Sequence, residues 1–92
     1  MLIKWTRTAE NEFIAILEWY QKQENTVLAQ SIAQKIWERT QRLASFPLSA
    51  PLGLIPNTRE LIFPDILYFI VYEVSDAVYI LRILHTARIY PA

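Results

Sequence analysis

Apolar and polar positions from Thr58 to Pro91 (TRELIFPDILYFIVYEVSDAVYILRILHTARIYP) predict three β-strands, roughly Arg59–Phe63, Leu67–Val74 and Ala77–His85. Pro64-Asp65 and Ser75-Asp76 interrupt the runs. Most strand positions carry β-branched, aromatic or leucine side chains, which suit a pleated, packed surface. A two-residue Ser75-Asp76 loop would set Val74 opposite Ala77. Tyr68, Ile70 and Tyr72 then lie beside Ile83, Leu81 and Tyr79 on one uncharged face, which is assigned to the core. Phe69, Val71 and Glu73 lie beside Arg82, Ile80 and Val78 on the other. That second face is apolar apart from Glu73 and Arg82. A sheet face left in water alternates more cleanly, so either a stretch of this chain or a partner is expected to cover part of it. Ser-Asp is a weaker hairpin signal than Asn-Gly, which leaves a slipped or bulged register open.

Upstream, Leu2–Thr6 reads as a short strand with Ile3 and Trp5 on one face. Ala9, Phe13, Ile16, Leu17 and Tyr20 recur at helical spacing, which predicts an amphipathic helix over 8–23. Thr6 or Thr8 is its expected cap, and Glu10 and Glu12 favour its positive end. Gln21–Asn25 breaks the pattern. A second helix starts at Asn25 or Thr26, carries Ala29, Ile32, Ala33, Ile36, Thr40 and Leu43 on its stripe, and stops near Ala44 before Phe46-Pro47. So short a link makes the two helices an antiparallel hairpin. Ser45–Asn57, with three of the five prolines and the single glycine, is a connector expected to be pinned by Phe46, Leu52 and Leu54. The order β-α-α-β-β-β gives an α+β fold, one domain over 1–92, with the helical hairpin on one face of a mainly antiparallel four-stranded sheet. Trp19 and Trp37 fall off the main helical stripes. Either they pack at the core rim or against each other, or they form a partner surface.

Charge and composition narrow the function classes. Nine basic and nine acidic side chains cancel, so no global basic field attracts nucleic acid, and any such contact needs a local cluster. The absence of cysteine removes disulfides and thiolate metal sites, and one histidine argues against an all-histidine site. No cofactor or metal is expected. A chain with one glycine holds no glycine-rich phosphate loop, and no Ser-His-Asp set is legible. No apolar run approaches the ~18–20 residues of a membrane span, so a soluble, cytoplasmic chain is expected.

Candidate chemistry gathers late in the chain. Arg59, Arg82, His85 and Arg88, with Tyr90, are expected to converge where the second strand begins and the fourth ends. Each has a structural alternative. Arg59 would pair with surface carboxylates, Arg82 with Glu73, His85 would serve as a hydrogen-bonding strand end, and Arg88 as a solvated tail. In the even register Glu73 and Arg82 sit about four residues apart, roughly 13 Å along the strands. Arg82 is therefore expected to pack over Phe69. Arg82→Ala should then leave the fold nearly intact.

These residues resemble the RelE/ParE superfamily of toxins from type II toxin–antitoxin systems over nearly the full length. The resemblance rests on W-T-x-x-A at the first helix, L-x-x-F-P closing the second, T-R-E-L and Y-x-I-V-Y-E-V on strands, and the ending I-L-R-I-L-H-x-x-R. It implies a small cytoplasmic toxin that a cognate antitoxin wraps and neutralises, and the assembly expected is a homodimer or a toxin–antitoxin hetero-oligomer. RelE-like members cut mRNA on the ribosome with lysines and arginines. Here the second strand offers only Arg59, and Phe69 stands where those nucleases commonly carry arginine. The ending LRILHTAR looks more like the ParE branch, whose members are implicated in poisoning DNA gyrase by binding. The resemblance thus implies a toxin that binds a protein target through Arg59, Arg82, His85 and Arg88. Trp19, Trp37, Phe69, Val71 and Ile80 are the expected antitoxin contacts. The alternatives are a ribosome-dependent mRNA endoribonuclease using those same four residues, with His85 as acid/base, and a non-toxic partner-binding module.

Overall fold

A computed structural model describes residues 1–91. The chain forms β1 (Ile3–Trp5), α1 (Arg7–Lys22), α2 (Thr26–Arg42), β2 (Thr58–Ile62), β3 (Tyr68–Val74) and β4 (Val78–His85). The four strands make one sheet in the order β1-β4-β3-β2. β1 runs parallel to β4, and the other pairs are antiparallel. The expected β-α-α-β-β-β arrangement is therefore present, with both helices packed on one sheet face. No helix is long and apolar enough to cross a membrane among the described residues.

Local chemistry explains the helix starts. Thr6 is the N-cap of α1, and its hydroxyl accepts the Ala9 N–H at 3.2 Å. The same hydroxyl donates to the Ile80 carbonyl at 2.9 Å, so one side chain ties α1 to β4. Asn25 caps α2 by accepting the Leu28 N–H at 3.2 Å. Between the helices Glu24 takes a φ of 56°, the left-handed turn that reverses the chain.

The β3–β4 register differs from the even pairing. Val74 pairs with Val78, so Ser75, Asp76 and Ala77 form a three-residue loop. A slip of one residue reverses the faces. Val78 and Ile80, rather than Tyr79 and Leu81, enter the core, and both are fully buried. Burying two branched aliphatics favours this register, while the Tyr79 hydroxyl bonds Asp76 at 3.0 Å in the open. A bulge then restores the phase. Tyr72 pairs with Ile80 but Val71 pairs with Arg82, leaving Leu81 as the extra residue. Ile83 accordingly stays in the core, opposite Ile70 rather than Tyr68.

The main core joins Ala9 of α1 and Ile32 and Ile36 of α2 to Ile70, Tyr72, Ile80 and Ile83 of the sheet. On the second face Phe69, Val71 and Leu84 form a smaller cluster, closed by Leu81 and Tyr90. The Tyr90 ring meets Phe69 edge-on at 6.0 Å. The chain's own tail thus supplies part of the expected cover.

The connector is anchored otherwise than its apolar residues suggest. Phe46, Leu52 and Leu54 are all exposed. The Tyr72 hydroxyl instead donates to the Pro47 carbonyl at 2.8 Å and accepts the Ala50 N–H at 3.4 Å. Gly53 donates its N–H to the Thr58 carbonyl at 2.8 Å. A Cβ on Gly53 would meet Thr58 Oγ1 at 2.6 Å, so this close approach requires glycine.

Candidate binding surface

The four expected site residues do not converge. β2 and β4 lie on opposite sides of β3. Arg59 is level with Tyr72 and His85 with Tyr68, four residues apart along β3 and so roughly 13 Å. Arg59 donates to the Ala50 carbonyl at 2.7 Å, and more weakly to Leu48 at 3.4 Å. It fastens the connector to β2 instead of pairing with a carboxylate.

Arg82 neither pairs with Glu73 nor packs over Phe69. Its guanidinium grips Glu12 of α1 through Nε at 3.0 Å and Nη2 at 2.9 Å. The Ile83 N–H donates to the same carboxylate at 3.1 Å. The reason lies in the topology: β1 stops at Trp5, level with Ile80, so β4 runs on with an open edge. Glu12 supplies the acceptor that the missing strand would have offered. Burial lowers and the carboxylate raises the Arg82 pKa, and the hydrogen bond to Glu12 prevails, leaving it above the ordinary value. The expected role of Glu12, a charge favouring the positive end of the helix, did not include this contact. A second missed cluster joins α2 to the β2–β3 turn, where Asp65 accepts from Arg39 and meets Lys35 at 3.2 Å. The Arg39 hydrogen bond holds the Asp65 carboxyl far below its usual range.

Among the described residues, His85 and Arg88 make no such side-chain ion pair. The His85 Nδ1 accepts the Ala87 N–H at 3.0 Å, which starts the tail turn, and its ring meets Tyr68 edge-on at 5.3 Å. His85 also lines a groove of about 780 Å³ between the helix link and the start of β3. Trp19, Tyr20, Leu28, Leu67, Tyr68 and His85 line it. The Tyr68 hydroxyl contacts that of Tyr20 at 3.4 Å, and burial pushes the Tyr68 pKa well above normal. Trp19 and His85, expected to serve two different surfaces, thus share one. The helix period places Trp19 off the core stripe, but only the folded hairpin brings it over the end of β4.

The five expected antitoxin contacts divide. Trp19 and Trp37 are 57% and 52% exposed, large areas for tryptophan. They do not touch each other: Trp19 meets Tyr20 edge-on at 5.0 Å, and Trp37 stacks on Trp5 at 6.4 Å. Ile80 lies in the helix-covered core, not on the second face, because of the register slip. Phe69 and Val71 do lie on the second face but are buried beneath Leu81 and Tyr90. A partner reaches them only by displacing the tail.

Three comparisons with known proteins find similar chains. A family model described as the ParE toxin of type II toxin-antitoxin system, parDE, matches residues 3–90. The chain is 34% identical over 89 residues to a Sinorhizobium fredii protein named "Putative toxin Y4kP", spanning 97% of this chain and 92% of that protein. It is also similar to a chain of the solved structure "Chromosomal ParDE TA system from P. aeruginosa", with a TM-score of 0.81 and 25% identity. That match covers 92% of this chain and 95% of the other.

Proposed function

The chain belongs to the ParE toxin family of type II toxin–antitoxin systems, and from that premise we propose that it inhibits growth by binding a protein target, with DNA gyrase as that target. A cognate antitoxin neutralises it. The observation that carries this reading is the division of labour among the basic residues. Phosphodiester cleavage by a metal-free site needs cations and an acid–base group around one phosphate. Arg59 and Arg82 are instead bonded to the connector and to Glu12, on different strands and away from His85. A binding surface has no such demand. His85 lines an aromatic groove in which Trp19, Tyr20 and Tyr68 offer the rigid amphipathic anchors that dominate protein interfaces, and Arg88 follows it in the tail turn with its N–H bonded to the His85 carbonyl. In this reading Arg59 and Arg82 hold the surface in shape while His85 and Arg88 touch the target. The antitoxin covers the exposed rings of Trp19 and Trp37.

The test combines a gyrase supercoiling assay with a translation extract. The antitoxin-free chain is expected to block supercoiling and to induce a DNA-damage response in cells, leaving mRNA intact. Ribosome-dependent cuts within codons, lost on His85→Ala, would establish the endoribonuclease alternative in its place.

A further inference from the structure

A second surface, which shares no lining residue with the groove at His85, lies along the outer edge of β2. Gly53 donates to the Thr58 carbonyl and Glu60 donates its N–H to Pro51 at 3.1 Å. The backbone groups of Thr58 and Glu60 therefore face outward, and by the two-residue alternation of an antiparallel strand so do those of Ile62. The connector covers only the first half of this edge. It leaves at Pro51 because Ala50 turns into the core. The N–H and carbonyl of Ile62 are left facing a cleft of about 620 Å³ between the edge and the end of α2.

The cleft walls carry a distinct chemistry. Leu61, Phe63 and Leu43 form an apolar floor, and Phe46 stands at the side with 66% of its surface exposed. Arg39 and Arg42 line the α2 wall. Arg39 is engaged with Asp65 and lies 5.0 Å over the Phe63 ring. Arg42 makes no ion pair among the described residues. An unpaired strand edge, an apolar floor and an uncompensated arginine together specify an occupant.

We propose that this cleft takes an extended polypeptide segment of another protein, added as a further strand beside Leu61–Pro64. Its main chain pairs with the outward groups of Ile62. Of two side chains that point toward α2, two residues apart, one is acidic and meets Arg42, and the other is apolar and lies on Phe46 and Leu43. Main-chain pairing gives such docking its affinity, and the side-chain pockets give it sequence preference. A nucleic-acid backbone fits poorly, since one free arginine above an apolar floor offers little to a run of phosphates. The inference requires a protein partner but not that gyrase be the target, so the two stand or fall separately.

The probe is a blocked heptapeptide, Thr-Val-Asp-Val-Leu-Val-Thr, titrated into the isotope-labelled full chain and followed by amide NMR shifts. Shifts are expected from Glu60 to Phe63 and at Arg42. Replacing the peptide's Asp by Lys should weaken binding roughly tenfold, as for loss of a charge-assisted hydrogen bond. Arg42→Glu should invert that order. Ile62→Pro removes an N–H that lies outside the β2–β3 ladder, a change edge strands tolerate, and should weaken both peptides with little change in Tm. If Ile62→Pro fails to fold, the charge reversal at Arg42 decides alone. Absence of shifts at about 1 mM peptide, or equal affinity for the acidic and basic peptides, overturns the assignment. So does concentration-dependent self-association that shifts the same amides without peptide, since it makes a second copy the occupant.

Discussion

Removing the Glu12 carboxylate strips two donors of their acceptor at once, the Arg82 guanidinium and the Ile83 N–H. Both side chains are less than a third exposed, at 31% for Arg82 and 20% for Glu12, so water compensates only in part. Glu12→Ala is expected to lower the unfolding free energy by roughly 2–3 kcal/mol, more than an exposed ion pair would. Arg82→Ala is expected to lower it by roughly 1–2 kcal/mol, and the double variant by less than the sum. Urea midpoints of the four proteins measure this. That outcome replaces the near-neutral Arg82→Ala drawn from sequence. The pair was illegible there because 70 residues separate the partners and helix periodicity shows only that Glu12 lies off the apolar stripe. By contrast, His85→Ala, which loses one ring contact and one local bond, should change stability by less than about 1 kcal/mol while abolishing target inhibition. Equal loss of folding and inhibition across both variants would return His85 to the scaffold.

At the scale of elements, α2 is held to the β2–β3 turn by Asp65 between Arg39 and Lys35. An aspartate in the unfolded chain titrates near ~3.9. In the fold, the hydrogen bond from Arg39 first, and then that from Lys35, depresses its pKa. A depressed folded pKa contributes stability that is fully present above the unfolded value and is lost as pH falls toward the folded one. Melting temperature should therefore drop below about pH 4, and Asp65→Asn should flatten that acid limb while lowering Tm at neutral pH. An unchanged acid limb in Asp65→Asn would show that other carboxylates govern it. The elements themselves were legible, since alternation and helical spacing located all six to within about two residues. Their register was not. Ser-Asp does not fix a loop length, and the choice between Tyr79 and Ile80 for the core depends on packing against Ile36 and Ile32, which lie on another element. Nor could apolar pattern reveal that a tyrosine hydroxyl, rather than Phe46, Leu52 or Leu54, anchors the connector.

Across the whole molecule, the groove gathers residues that no local pattern unites: Trp19 from α1, Leu28 from α2, Tyr68 from β3 and His85 from β4. Trp19→Ala should leave Tm within a few degrees, given its exposure, yet weaken binding of the target or the antitoxin by about 2 kcal/mol or more. Calorimetric titration with a co-expressed antitoxin checks this, and an unaltered affinity for both partners would remove Trp19 from the surface. The sheet order carries a consequence of another kind. Ile3–Trp5 pairs with Val78–Ile80, and Thr6 bonds Ile80 while capping α1. β1 therefore has no neighbour until β4 follows, and such long-range closure slows folding. The helical hairpin can form early during synthesis, but the surface at His85 is assembled only once β4 has followed. Until β4 docks, both the groove at His85 and the free edge of β1 lack the strand that completes them.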